Sequence, residues 1–152
     1  MHKILFVCHG NICRSPMAEF IMKDLVRKAG RSDDFVIDSC AVSNEEQGNP
    51  IYPPAKRKMQ EHNIPFDAHY AHKITKAEFD AYDIVVLMDQ SNLNILSRIV
   101  GRDKLDKVRL LMSYTGSSRD VADPWYTGDF ERSYRDILAG CQALLDSLSD
   151  DC

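Results

Sequence analysis

The feature that most constrains the fold is at the start of the chain. The run Lys3-Ile4-Leu5-Phe6-Val7, apolar without interruption from Ile4, has the pattern of a strand buried on both faces. It stops at Cys8. From Pro16 onward Ala18, Ile21, Met22, Leu25 and Ala29 recur at helical spacing, with a proline suited to the first turn and Gly30 past the last. Residues 8–15 are therefore expected to form a loop joining a buried strand to a helix.

The same alternation continues. Phe35-Val36-Ile37-Asp38-Ser39 reads as a second strand, followed by a polar stretch over 43–49 and a Pro53-Pro54 entry into a helix running to about residue 63. Thr75 and Glu78 have capping-box spacing for a short helix. Asp83-Ile84-Val85-Val86-Leu87-Met88 is a third strand, Asp89 is expected to cap a helix ending near Gly101, and Lys107-Val108-Arg109-Leu110-Leu111-Met112 is a fourth strand. Phe130, Tyr134, Ile137, Leu138, Cys141, Leu144, Leu145 and Leu148 mark one face of a closing helix. Strands alternating with helices imply an α/β three-layer sandwich: a parallel sheet with right-handed crossovers and helices on both faces. With 152 residues, 44% of them hydrophobic, and no repeat or linker, one domain over residues 1–152 is expected.

In such folds ligands bind beyond the carboxyl ends of the strands. That edge holds the Cys8 loop, Ser39 and Ser43, Asp89, and the 113–127 loop with Asp123. The net charge of −4 and the lack of a basic run argue against nucleic acid or an anionic membrane as partner. An anionic substrate must then be held locally. The opening apolar run is too short for a signal peptide or a membrane span, so the expected location is the cytoplasm. Five cysteines without zinc-ligand spacing point to thiols kept for burial or chemistry.

Cys8-His9-Gly10-Asn11-Ile12-Cys13-Arg14-Ser15 is a C-x5-R-S sequence between a strand and a helix. Chance often produces C-x5-R alone; its placement makes it specific. Backbone N–H groups over residues 9–15, turned inward at a helix N-terminus, make a nest for a phosphate dianion, and the same field favours a nucleophilic Cys8 thiolate. Gly10 and Asn11 are types that tolerate left-handed backbone. Arg14 offers a planar fork to two phosphoryl oxygens, and the Ser15 hydroxyl is placed to donate to the sulfur. Asp123-Pro124-Trp125-Tyr126 supplies an acid and two aromatics for a pocket wall, although an ordinary Asp-Pro turn fits these residues as well.

The segment Val7-Cys8-His9-Gly10-Asn11-Ile12-Cys13-Arg14-Ser15-Pro16-Met17-Ala18-Glu19 resembles the signature of the low-molecular-weight protein tyrosine phosphatases. Asp38-Ser39, Gly48-Asn49-Pro50, Ile74-Thr75, Met88-Asp89-Gln90-Ser91-Asn92-Leu93 and Asp123-Pro124-Trp125-Tyr126 resemble further family landmarks in the same order. The resemblance implies a four-stranded parallel sheet in the order 2-1-3-4 and hydrolysis of phosphotyrosine through a phosphocysteine, without metal or cofactor. It gives Cys8 as nucleophile, Arg14 as clamp, Asp123 as acid and then base, and Ser39 hydrogen-bonded to Asn11. Substrates would be tyrosine-phosphorylated proteins or peptides, with inorganic phosphate and other oxyanions competing. Ile12, Glu45, Trp125 and Tyr126 would line the pocket, and Cys13 would be the redox partner of Cys8.

Two positions depart from the family pattern. Asn44-Glu45-Glu46 stands where many relatives carry an aromatic residue, and His72 stands where Arg is common. A related phosphoarginine-specific branch carries Thr at the position of Ile12, which makes protein-arginine phosphatase one alternative. Thioredoxin-coupled arsenate reductase is a second, but its chemistry needs further cysteines and none lies between 41 and 140. A non-catalytic phosphoprotein-binding module would fit a chain lacking Cys8, Arg14 or Asp123. His9 is expected to face solvent, His69 and His72 to hydrogen-bond locally, Cys40 and Cys141 to fill the core, and Cys152 to be disordered.

Overall fold

The structure, a computed structural model, describes residues 1–148, so Cys152 lies outside the described residues. Four parallel strands, β1 (His2–Cys8), β2 (Phe35–Ala41), β3 (Ile84–Leu87) and β4 (Val108–Leu110), form one sheet in the order β2-β1-β3-β4. This is the order expected. Ile4 on the central β1 pairs with Ile37 on one side and Ile84 on the other. Its neighbours along the strand explain the unbroken apolar run: Ile4, Phe6 and Cys8 belong to one core, Leu5 and Val7 to the other. Each face of β1 is covered.

The first core is closed by α1 (Arg14–Lys28), α2 (Pro53–Glu61) and α6 (Phe130–Ser147), the second by α3 (Lys76–Ala81) and α4 (Gln90–Val100). A short helix α5 (Pro124–Thr127) lies in the long loop after β4. Among the described residues no helix is long and apolar enough to cross a membrane.

Element bounds differ from the periodicity in instructive places. Helix α1 begins at Arg14 rather than Pro16, because apolar spacing registers only residues facing the core, whereas Arg14 and Ser15 are buried under the loop. Strand β2 runs two residues beyond Ser39, where Ala41 is tied by Ala41 N–H donating to the His72 carbonyl at 2.8 Å. Strand β4 is only three residues long, and Leu111–Thr115 turns into 3₁₀ helix. Thr75 accepts from the Glu78 N–H at 3.0 Å, but the Glu78 carboxylate does not return the bond; it goes to His72. Asp89 makes the full capping box, with Asn92 as its partner.

Candidate active site

Cys8 ends β1 and Arg14 opens α1, so the turn between them has to reverse within five residues. Asn11 makes this possible by taking a left-handed backbone, φ 61°. Gly10 has no positive φ, contrary to expectation; its missing side chain instead leaves room for Glu46, whose Cγ would lie 3.3 Å from an added Cβ. The Asn11 amide is fully buried and its orientation follows from its neighbours. Oδ1 accepts from the His72 N–H at 3.4 Å, so Nδ2 is the end that donates to Ser15 Oγ at 2.8 Å and to Ser39 Oγ at 3.0 Å. His69 Nε2 donates to the same Oδ1 at 2.8 Å. Ser39 Oγ donates to Glu19 Oε1 at 2.6 Å, and Glu19 also receives Lys23. Burial lowers the His69 pKa against the opposing pull of Glu19.

This network sets the surroundings of the sulfur. Cys8 Sγ accepts from the Asn11 N–H at 3.2 Å and lies 3.0 Å from Ser15 Oγ. Ser15 Oγ already accepts from Asn11, which leaves its own hydrogen for the sulfur or for the Cys40 carbonyl at 3.4 Å. The start of α1 has no side-chain cap, and among the described residues no acceptor pairs the N–H groups of Ile12, Cys13, Arg14 or Ser15. N–H groups at a helix start have no carbonyl one turn back, and an anion satisfies them.

Arg14 is 2% exposed and held on three sides. Its NH1 donates to Asp89 Oδ2 at 2.8 Å and to the Val121 carbonyl at 2.9 Å, and its NH2 donates to Asp123 Oδ2 at 3.4 Å. Burial works against the charge, but Cys8, Asp123 and Asp89 outweigh it and raise the Arg14 pKa. Asp89 thus has two tasks, since its Oδ1 caps α4 by accepting from the Asn92 N–H at 2.8 Å. Asp123 caps α5, accepting from the Trp125 N–H at 3.0 Å. The loop that carries it is pinned by Val121 N–H to the Met88 carbonyl, by Ser133 Oγ to the Ala122 carbonyl, and by the paired bonds of Arg119 to Asp136.

A cavity of about 140 Å³ is lined by Cys8, His9, Gly10, Asn11, Ile12, Cys13, Arg14, Glu45, Glu46, Asp123, Trp125 and Tyr126. Of the anticipated loop residues only Ser15 is not in the lining; it is fully buried beneath the sulfur. Ile12 is 8% exposed, with most of its side chain packed in a small cluster with Cys13 and Ala71. Burial, then the nearby Cys8, raises the Cys13 pKa. Trp125 and Tyr126 are exposed at the rim, and Trp125 leans on Tyr52 with ring centroids 5.0 Å apart. His9 is half exposed and pairs with Glu45 at 3.0 Å rather than facing solvent alone. His72 pairs with Glu78 at 2.8 Å. Sequence reading missed Glu19 and Tyr52; it placed Asp89 at the binding edge of the sheet but favoured its helix-cap role over support of the loop.

Fold and site together define a parallel α/β protein that brings a buried thiol and a fixed guanidinium to one cavity. The chain matches the low molecular weight phosphotyrosine protein phosphatase family over residues 3–152 and belongs to it. The low molecular weight protein-tyrosine-phosphatase YfkJ of Bacillus subtilis is 35% identical over 153 residues, covering 99% of this chain and 98% of its own. The crystal structure of YfkJ superposes with a TM-score of 0.93, covering 97% of this chain and 94% of that one. The human low molecular weight phosphotyrosine protein phosphatase is 39% identical, covering 94% and 93% of the two chains. The crystal structure of a Drosophila arginine phosphatase is 30% identical with a TM-score of 0.86, covering 99% of each chain.

Replacing Asn11 by Ala removes the donors to Ser15 and Ser39 and the acceptor for His69, and it puts a residue less tolerant of left-handed backbone than Asn at φ 61°. Urea unfolding is expected to show a loss of about 2–4 kcal/mol, set by buried partners left unpaired and by the backbone penalty. Ser39→Ala, which breaks fewer bonds, is expected to cost about 1 kcal/mol on the same scale.

Proposed function

We propose that this chain is a cytoplasmic protein tyrosine phosphatase in which residues 1–152 act as one domain and Cys8 forms a phosphocysteine intermediate. The observation that carries this reading is the shared cavity: Cys8 lies at its floor, and Arg14 and Asp123 face into it on separate elements. Location in a reducing compartment agrees with Cys8, Cys13, Cys40 and Cys141 all being free thiols. Tyrosine-phosphorylated proteins or peptides are the substrates, and inorganic phosphate or other oxyanions compete for the loop.

In the first step the Cys8 thiolate attacks phosphorus and the bond from phosphorus to the aryl oxygen breaks. Asp123 gives its proton to the departing phenolate. In the second step a water attacks the phosphocysteine, Asp123 takes a proton from it, and the sulfur leaves as thiolate beside the Ser15 hydroxyl. Arg14 NH1 is committed to Asp89 and Val121, which leaves NH2 and Nε to two phosphoryl oxygens. The unpaired N–H groups at the start of α1 take the remaining charge as it is redistributed in transfer.

A phosphotyrosine reaches a sulfur at the floor of the cavity, whereas phosphoserine is too short. Against phosphoarginine, Ile12 offers an apolar surface to the cavity and leaves guanidinium donors without acceptors, a cost of about 1–3 kcal/mol per buried group. Glu45 is engaged with His9 and Glu46 with Asn49, so neither carboxylate is free of a partner. Against the arsenate-reductase reading, no cysteine lies between 41 and 140, and among the described residues Cys40 and Cys141 are fully buried.

Hydrolysis of a small aryl phosphate by wild type and Cys8→Ser tests the mechanism. Turnover should nearly vanish in the variant, and near-wild-type turnover overturns it. Asp123→Asn is expected to lower kcat by about 10²–10⁴ for a poor leaving group, the usual scale of general acid catalysis, and by less for a leaving group that needs no proton. Equal losses for both would make Asp123 a purely structural cap of α5. On matched peptides kcat/KM should favour phosphotyrosine over phosphoarginine, with Ile12→Thr moving the ratio toward phosphoarginine. A wild-type ratio at or below one refutes the preference.

Peroxide should inactivate the enzyme reversibly. Two electrons pass from the Cys8 thiolate to peroxide, and Cys13 then displaces water from the sulfenic acid to give a disulfide. Dithiothreitol is expected to restore wild type, and Cys13→Ser to recover less completely. Mass spectrometry after mild oxidation should find the Cys8–Cys13 link; its absence counts against this role for Cys13.

A further inference from the structure

Three groups of His, Cys, Asp and Glu among the described residues bring ligand-type atoms together outside the cavity. Two of them already hold a cation. In the Glu19, Asp38 and His69 group Lys23 Nζ lies 2.6 Å from Glu19 Oε2. In the Glu61, His62 and Glu131 group Lys58 Nζ lies 2.6 Å from Glu61 Oε2 and 3.0 Å from Glu131 Oε1. The third group, Cys40, His72 and Glu78, has no lysine or arginine ion pair among the described residues.

We propose that Cys40, His72 and Glu78 form a zinc site under the phosphate loop, on the α3 side of the sheet. A Cys40 sulfur, a His72 ring nitrogen and a Glu78 carboxylate oxygen all lie within 4.8 Å of one another, and His72 Nε2 is 2.8 Å from Glu78 Oε2. Ligands of one tetrahedral zinc ion are about 3.3–3.6 Å apart, given bonds of about 2.3 Å to sulfur and 2.0–2.1 Å to nitrogen and oxygen. Closing the longer edges by at most about 1.2 Å and opening the His72–Glu78 edge by about 0.5 Å, side-chain adjustments both, therefore brings the three protein ligands to tetrahedral spacing.

The three ligands come from β2, from the segment that bridges to Ala41, and from α3, so the chain fixes their relative places before any ion arrives. A thiolate, an imidazole and a carboxylate are the donor set of zinc rather than of calcium or magnesium. The Cys40 sulfur is fully buried, whereas the His72 and Glu78 side chains are 34% and 18% exposed. The ion enters from that open side, keeps a water as fourth ligand, and releases the Cys40 thiol proton and any His72 proton to solvent. The ligands also touch the loop: the His72 N–H donates to Asn11 Oδ1, and the Cys40 carbonyl faces Ser15 Oγ. Zinc here clamps the strand end and α3 beneath the residues that shape the pocket.

The test uses the Cys8→Ser protein, which removes the thiolate most able to compete for metal, titrated with zinc against a chromophoric chelator. One equivalent should bind. Cys8→Ser/His72→Arg keeps a cation opposite Glu78 but loses the nitrogen ligand, and Cys8→Ser/Cys40→Ala loses the sulfur; each should weaken binding at least about tenfold. Cobalt(II) should give a thiolate charge-transfer band in Cys8→Ser that Cys40→Ala removes, which separates Cys40 from Cys13. Circular dichroism checks that the variants fold, and if Cys40→Ala does not, the His72→Arg comparison decides alone. No bound zinc in Cys8→Ser, or unchanged affinity in the folded double variants, overturns the proposal.

Discussion

The shape of the phosphate loop depends on one buried amide. Asn11 sits in left-handed backbone with its side chain satisfied at both ends, and that single residue links β1, α1, β2 and the segment around His69. A loop turned this tightly cannot pair its own N–H groups, and in a solvated loop water would take them. Here the buried amide braces the turn and leaves the N–H groups at the start of α1 without acceptors, beside the cavity that the loop lines. Binding capacity therefore follows from a structural debt: donors at the start of α1 that the fold does not satisfy.

The charge of Arg14 is managed in the same way. A guanidinium with 2% exposure requires partners, and Asp89, the Val121 carbonyl and Asp123 supply them. The bonds are unequal. NH1 makes the two short ones, whereas the contact of NH2 with Asp123 is 3.4 Å, long for a charge-assisted bond. The firm side orients the fork and the loose side is the one a phosphoryl group can replace. In the mechanism proposed above, displacing Asp123 from Arg14 frees its carboxyl for proton transfer, so that occupation of the clamp and readiness of the acid would be coupled through one weak bond.

Much of this was legible in the sequence where the physics is local. The both-faces burial of β1 showed in Ile4–Val7, the strand order followed from the family resemblance, and Cys8, Arg14 and Asp123 stood in contexts that the structure brings to one cavity. What stayed hidden depends on contacts between distant elements. Glu19 looks like any polar residue of α1, yet it accepts from Ser39 across the interior; Tyr52 precedes a helix, yet it props Trp125. Glu78 was expected to close a capping box on its own helix, but a histidine six residues earlier offered a better partner. Local patterns name the options of a side chain, and tertiary contacts choose among them.

The same distinction explains why the Cys40, His72 and Glu78 cluster has no signature in the chain. Zinc motifs are recognisable when ligands share a knuckle or a helix, so that spacing encodes geometry. Here the ligands lie 32 and 6 residues apart and meet only because β2, the bridging segment after it and α3 pack at one end of the sheet. The ligand set also depends on the residue at position 72 being histidine: an arginine there would give Glu78 a permanent cation and leave no room for a metal. With histidine there, the same carboxylate faces a partner that can give up its proton, and the fold's need for a positive charge opposite Glu78 becomes one that an ion is able to meet.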